Sequence, residues 1–261
     1  MAPLEFDRDG FWGKPTATID WCEANYEISF YIAEFWNTIS NLAIFIPPAL
    51  GTCFAIRDKV EWRFILCHLS LCLVGIGSWM FHQTLLYNMQ LMDELPMVWG
   101  SGFLVYCMYE MLSPPKQLNK KLTAFLIVYC VVVTIVYLLV KDPLLFQIAY
   151  GLMVISLLGP AIGLIRTYPR FLFLLGCCSY VTGFTLWNID NVFCPQIRNV
   201  RSSVGPVLSP ITQLHGWWHV FAGLGTFYHL VFTQHTRMII LKKNYELKRY
   251  LGILYIPRIK R

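Results

Sequence analysis

The chain has 261 residues, of which 56% are hydrophobic and only 14% charged, with a formal net charge of +6. A soluble domain carries about 25% charged residues, so this chain lacks the charge to cover a water-facing surface and a soluble globular protein is excluded. The basic excess gathers in the last twenty-odd residues and gives no reason to invoke nucleic acid.

In chain order, residues 1–30 come first: a polar stretch with six Asp/Glu against two Lys/Arg and no cleavable signal peptide. Seven apolar stretches follow, near 31–55, 63–84, 93–112, 121–140, 144–165, 171–191 and 211–236. Each matches the roughly 20 residues that a membrane span needs, and each must be helical because unpaired backbone groups cannot face lipid. They are too long and too uniformly apolar for barrel strands. Pro114-Pro115, Asp142-Pro143 and Tyr168-Pro169 punctuate the boundaries, and Pro47-Pro48 should bend or end the first span. The expected fold is an all-α integral membrane protein, a seven-helix bundle over 31–240. A polar segment (1–30) precedes it and a basic tail (241–261) follows.

Orientation follows from Lys and Arg. Sixteen of the 21 basic residues fall on the side that holds the C-terminus, the other five being Arg8, Lys14, Lys141, Arg198 and Arg201. The C-terminus is therefore expected in the cytosol, where the tail can rest on anionic headgroups, and the N-terminus in the lumen or outside the cell. Seven of the nine cysteines lie in or at the ends of spans, where they read as small packing residues. Only Cys22 and Cys194 lie outside, both on the side that oxidises thiols, which predicts a Cys22–Cys194 disulfide.

An ionisable side chain inside a bilayer costs at least about 2.5–3.5 kcal/mol on insertion scales, so each one calls for a role. His215 and His219 form an H-x-x-x-H pair one helical turn apart, on one face of the seventh span. His82, at the end of the second span, lies at the same depth by topology; Ser78 is one turn before it and Asp93 opens the third span. His68 lies about 21 Å from His82 along its helix, and His229 and His235 lie about 15 and 24 Å beyond His219, so none of them joins this level. An H-x-x-x-H pair alone reads more readily as interhelical hydrogen bonding than as a metal site. Three imidazoles with a serine and an aspartate at one depth instead suit Zn²⁺, with a fourth position open to activate water. The HExxH glutamate is absent, Gly216, Trp217 and Trp218 standing between the histidines, which leaves Asp93 to act as base and acid.

The stretches Glu34-Phe-Trp-Asn-Thr-Ile-Ser-Asn41, Gly77-Ser-Trp-Met-Phe-His82, Gln90-Leu-Met-Asp-Glu-Leu-Pro-Met97, Trp187-Asn-Ile-Asp-Asn191 and His215-Gly-Trp-Trp-His219 together resemble the alkaline ceramidase family, closest to its type-3 (phytoceramidase) branch. The likeness runs from about residue 10 to residue 240, in order. It implies seven membrane helices and hydrolysis of the ceramide amide to a sphingoid base and a fatty acid, with phyto-, dihydro- and unsaturated long-chain ceramides as substrates. It also implies zinc on His82, His215 and His219, with Asp93 as general acid/base and Ser78 as oxyanion stabiliser. From composition alone the acidic residues of the N-terminal segment read as solvated. The resemblance instead implies a regulatory or structural calcium site formed by Asp20, Glu23, Asn25, Glu34 and the Trp21 carbonyl, oxygen ligands that suit a hard cation. Asn37 and Asn41 should face the bundle interior, and Tyr150, Trp217 and Trp218 are assigned to the lipid pocket.

The competing expectation is a lipid sensor resembling the adiponectin-type receptors, with weak or vestigial amidase activity. The ceramidase likeness, the acidic N-terminal cluster and the short tail favour the enzyme. The expected setting is the endoplasmic reticulum or Golgi membrane, with ceramide as the partner, drawn from the bilayer, and no obligate protein partner.

Overall fold

A computed structural model describes residues 8–260. Glu5 and Asp7 of the acidic N-terminal segment, and Arg261 of the basic tail, lie outside these described residues. The helices run in the order α1 (Phe35–Ser40), α2 (Leu42–Arg57), α3 (Trp62–Thr84), α4 (Tyr87–Tyr109), α5 (Lys120–Val140), α6 (Pro143–Ser156), α7 (Leu158–Ile165), α8 (Phe171–Val192), α9 (Cys194–Ser203), α10 (Gly205–Leu208) and α11 (Leu214–Ile240). Among the described residues five rods are long and apolar enough to cross a membrane: Phe35–Arg57, Trp62–Thr84, Lys120–Val140, Pro143–Ile165 and Phe171–Val192. α4, of 23 residues, and α11, of 27, are as long but carry Asp93 and Glu94, and His215, His219, His229, His235 and Arg237.

Local chemistry sets the helix ends. Asn119 Oδ1 accepts the Leu122 amide at the start of α5, and Asp142 Oδ1 accepts that of Leu144 at the start of α6, with Pro143 in the first turn. The first span is not interrupted at Pro47-Pro48, which stay inside α2. The hitch comes at Asn41, because its side-chain amide bonds the Asn37 carbonyl while its backbone N–H shifts to Thr38. A side chain has replaced a backbone donor in the ladder. The helix expected to open at Asp93 is α4, which begins at Tyr87 and so places Asp93 in its second turn.

Two close crossings bring the functional helices together. A Cβ on Gly77 would lie 1.8 Å from the Met92 carbonyl oxygen, so the glycine lets the α4 backbone touch α3 beside Ser78. At Gly225 the α11 backbone meets α8, where a Cβ would lie 2.9 Å from the Tyr180 nitrogen. Phe64, Tyr106, Met108, Phe173, Phe227 and Phe232 lead the largest apolar cluster, in the half of the bundle away from His82 and His215.

Two parts depart from the expected all-α plan. Residues 245–259, expected within a free basic tail, form a hairpin of β1 (Tyr245–Tyr250) and β2 (Leu254–Ile259), antiparallel with Tyr245 opposite Ile259 and Tyr250 opposite Leu254. The hairpin folds back on the bundle because its inner residues are apolar, Leu254 and Ile256 being buried, and because Arg258 bonds Asp58 at 2.6 Å and lies 4.0 Å over the Phe54 ring. Burial opposes ionisation of Asp58, yet Arg258 and the Ile259 amide outweigh it and hold the carboxyl below its ordinary range. The N-terminal segment is likewise no solvated strap. Its amides at Thr16 and Ala17 bond Leu85, Ala33 bonds Gln83, and Glu34 bonds His82, which lays residues 16–34 across the helix ends that carry His82 and His215.

Candidate metal centre and active site

His82 sits in the last turn of α3, and His215 and His219 lie one turn apart at the start of α11. All three are buried, their rings 4.6 to 5.1 Å apart between centroids. Each offers a ring nitrogen, and the three ligand atoms all lie within 4.8 Å of one another. Tetrahedral zinc at about 2.0–2.1 Å per Zn–N bond holds its nitrogens about 3.3–3.4 Å apart, within that 4.8 Å span, so the set could hold a metal ion of this kind.

The surrounding groups decide which nitrogen of each ring is available. His82 Nδ1 donates to Glu34 Oε2 at 2.5 Å, and His219 Nδ1 donates to the Asn37 carbonyl at 3.1 Å, with Ser40 Oγ at 2.8 Å. Both contacts fix the tautomer that leaves Nε2 as the lone-pair donor. The Asn37 carbonyl also accepts the Ser40 hydroxyl and the Asn41 side-chain amide, both at 2.9 Å. His215 differs: its Nδ1 is buried without a hydrogen-bond partner, and the Trp21 indole stacks on the ring at 3.8 Å and 19°. The indole ring of Trp21 is a contribution that sequence reasoning, which used only its carbonyl, did not foresee.

Ser78, one turn before His82, hydrogen-bonds the half-buried Asp93 carboxylate across the Gly77 contact. The adjacent Glu94 carboxylate accepts from the Tyr137 hydroxyl and from Gln90 Nε2, and Gln90 Oε1 accepts the Thr18 amide at 2.8 Å. A hydroxyl and a carboxylate thus stand beside three imidazoles, a set able to move protons and hold a developing oxyanion.

Asp20, Glu23, Asn25 and Glu34 are all buried, and Glu34 reaches His82. Glu23 is engaged by both oxygens, which accept the Trp36 amide at 2.7 Å and the Asn37 amide at 2.8 Å. It thereby satisfies the first turn of α1. Asp20 Oδ1 accepts the Trp21 amide at 2.9 Å. Glu34 Oε1 has no hydrogen bond of normal geometry, the side chains of Asp20 and Asn37 and the Trp21 amide standing around it. Burial, and then the charge of Glu34, push the Glu23 carboxyl up to about 8. Three carboxyl groups buried together suit a cation chemically. Among the described residues the three histidines are the one group of three or more His, Cys, Asp or Glu with ligand atoms close enough to hold a metal ion.

Cys22 and Cys194 are joined by a disulfide, with Cα atoms 5.3 Å apart. Two unforeseen residues extend this tie. Asp190 accepts the Cys22 amide at 3.3 Å and an amide from His215, and Arg201 donates to the Cys22 carbonyl at 2.8 Å and to Thr212. An aspartate within a membrane helix was itself the signal for Asp190. Of the residues assigned to a lipid pocket, Tyr150 accepts a hydrogen bond from Tyr180, whose ring meets Trp218 edge-on at 5.6 Å. Trp217 does not join them: it is 40% exposed, bonds the Ile211 carbonyl and lies against Phe221.

Against known proteins, a model of the Ceramidase family matches residues 13–260. The chain is 45% identical to mouse alkaline ceramidase 3 over 256 residues, covering 97% of this chain and 96% of the relative. It is 33% identical to an alkaline ceramidase of Saccharomyces cerevisiae, covering 89% and 80%, and 32% identical to alkaline ceramidase of Arabidopsis thaliana, covering 96% of each.

Proposed function

The chain belongs to the ceramidase family and is a membrane hydrolase of the ceramide amide bond, and from that premise we propose that the bond is cut at the centre formed by His82, His215 and His219. The observation that carries this reading is the convergence of three buried imidazole nitrogens within 4.8 Å, beside the Ser78–Asp93 pair. Zinc held by the three rings would polarise the amide carbonyl and lower the pKa of a water. Asp93 takes a proton from the attacking water and returns it to the departing amine, releasing a fatty acid and a sphingoid base. The Ser78 hydroxyl donates to the oxygen that gains negative charge, and Glu34 and Asn37 hold His82 and His219 in the ligating tautomer. Calcium in the Asp20–Glu23–Asn25–Glu34 cluster, with the Trp21 carbonyl, is part of the same reading. Supporting it are the buried Asp20 and Glu23 carboxyl groups beside a buried, under-bonded Glu34 oxygen.

In this reading α4 and α11 cross the membrane with the five apolar rods, giving seven crossings, their polar residues facing the bundle. The distribution of basic residues supports a cytosolic C-terminus, and the resemblance supports the endoplasmic reticulum or Golgi membrane.

The test uses full-length protein in detergent, with bound zinc quantified and fatty-acid release followed from a long-chain ceramide. Wild type should hold one zinc per chain and release fatty acid, and His219→Ala should lose both. Asp93→Asn should keep the metal and lose turnover by about 10²–10⁴-fold. Metal-loaded wild type without turnover on any ceramide would overturn the reading in favour of a sensor.

A further inference from the structure

The C-terminal hairpin carries features that neither amide hydrolysis nor the bundle core uses. β2 is its inner strand: Leu254 and Ile256 are buried, Tyr255 meets Phe171 edge-on at 5.4 Å, and Arg258 is fastened to Asp58. Tyr250 stacks on Phe54 at 4.9 Å, and Tyr245 bonds His235 at 2.9 Å. The hairpin is thus wedged between the ends of α2, α8 and α11. At its tip the Ile253 carbonyl accepts the Tyr228 hydroxyl at 2.8 Å. Tyr228 lies about 18 Å before the end of α11 and about 13 Å beyond His219, so the hairpin doubles back along the bundle yet stays clear of the metal centre.

Its outward features are of two kinds. The tip is apolar and open, Leu251 being 75% and Ile253 54% exposed. Around it the charge has one sign: Lys248 and Arg249 in β1, and Lys242, Lys243 and Lys260 at the base, are all exposed. Glu246 is the one acidic residue of 241–260, and Lys248 already pairs with it at 2.8 Å. In water an open Leu–Ile tip is a cost without return. At a membrane surface both features are satisfied, the tip entering the acyl region while Lys and Arg stems lie along it with their charges at phosphate depth.

We infer that this hairpin is a docking surface for anionic phospholipid headgroups of the leaflet it faces, a second lipid contact separate from the hydrolytic site. Zwitterionic lipid meets the needs of the tip but not of the basic flanks, so the contact distinguishes leaflets by charge. The inference holds whichever side of the membrane the hairpin occupies.

The experiment reconstitutes the full-length protein in nanodiscs of phosphatidylcholine alone, or with about one third phosphatidylserine, and follows amide hydrogen exchange over 245–259. A lipid that binds the docked hairpin but not the opened one slows exchange through opening. Two neighbouring basic groups should slow it by about tenfold or more in the anionic discs. High salt should erase most of the difference, and the double variant Lys248→Gln/Arg249→Gln should erase it while exchanging like wild type in neutral discs. If that variant loosens the hairpin in neutral discs, Lys242→Gln/Lys243→Gln, outside both strands, takes its place. Equal exchange of wild type in the two lipids would overturn the inference, as would protection that survives high salt and both double variants.

Discussion

Replacing Glu34 separates metal tuning from folding. Its Oε2 accepts from His82 Nδ1 at 2.5 Å in a fully buried setting. A hydrogen bond to a charged group is worth about 1.5–3 kcal/mol, and loss of such a partner behind a metal-bound histidine typically costs 10–100-fold in metal affinity, or about 1.4–2.7 kcal/mol. The two routes agree, so Glu34→Ala should weaken zinc binding by about 10–100-fold. Glu34→Gln keeps an acceptor for Nδ1–H but no charge, and should fall between Ala and wild type. Glu34 makes no side-chain cap to α1, and its backbone bond to the His82 carbonyl survives either change. Glu34→Ala leaves His82 Nδ1 buried without its acceptor, so metal-free stability should fall, zinc-bound stability should fall further, and the zinc-induced gain in melting temperature should shrink. Competition with a chromophoric chelator in calcium-free buffer gives the affinity, and melting with and without zinc gives the rest. Wild-type zinc affinity in Glu34→Ala, or equal losses of metal-free and zinc-bound stability, would refute the assignment.

Trp21 should matter to the metal through its ring. Trp21→Phe preserves a face to stack on His215 and should keep zinc affinity within a few-fold, whereas the apolar but flexible Leu should lower it by about tenfold; chelator competition decides, and equal affinities would mean that only bulk is needed. Calcium binding should be proton-linked. The Glu23 carboxyl, held at about 8 by burial and by Glu34, is protonated at neutral pH. Metal-free stability from this group is full below about 4.5, the ordinary Glu range, and is lost as pH rises through 8. Burial pushes the Glu34 carboxyl up to about 8 as well, and calcium takes both ionised forms, so its affinity should rise by up to about a hundredfold per pH unit toward 8 and level off above. Titration calorimetry on zinc-loaded protein measures this, and a flat profile from pH 6 to 9 would exclude Glu23 from the site.

How much of this was legible depends on the distance over which each contact acts. The placing of His215 and His219 together rests on one helical turn, and that of His82 on a single alternation of spans, so both could be read without coordinates. Ser78 beside Asp93 needed the α3–α4 connection and the absence of a Cβ at Gly77, and the turn chemistry around Leu85 hid that α4 starts at Tyr87. The acidic residues of 20–34 read as solvated by composition because their burial depends on Leu85, Asp190, Cys194 and Arg201, reached only through long-range pairing. The hairpin failed to register for another reason. Its alternation over 245–250 and 254–259 is short and heavily basic, and the residues that fasten it, Asp58 and Phe54, lie about two hundred positions earlier. Proline drew the eye to positions 47 and 48, yet a membrane helix can absorb its missing donors through its neighbours, while the competing side chain of Asn41 cannot be ignored by its own backbone.

The placing of the histidines at helix ends has a consequence for chemistry on a lipid. His82 is two residues from the end of α3 and His215 is the second residue of α11, so in the proposed seven-crossing arrangement the centre would lie where helices meet the interface rather than at mid-membrane. The amide of a two-tailed lipid lies near that depth already, and bringing it to the metal requires little movement of the tails into water. The same position would open the site to bulk water were it not covered. Residues 16–34 supply that cover, and they are fastened at both margins: to α3 and α4 through Leu85 and Gln90, and to α8 and α9 through Asp190, the disulfide and Arg201. The cover also supplies the Trp21 ring and the Glu34 carboxylate that orient two of the three ligands. Any event that shifts this segment must therefore shift the three histidines with it.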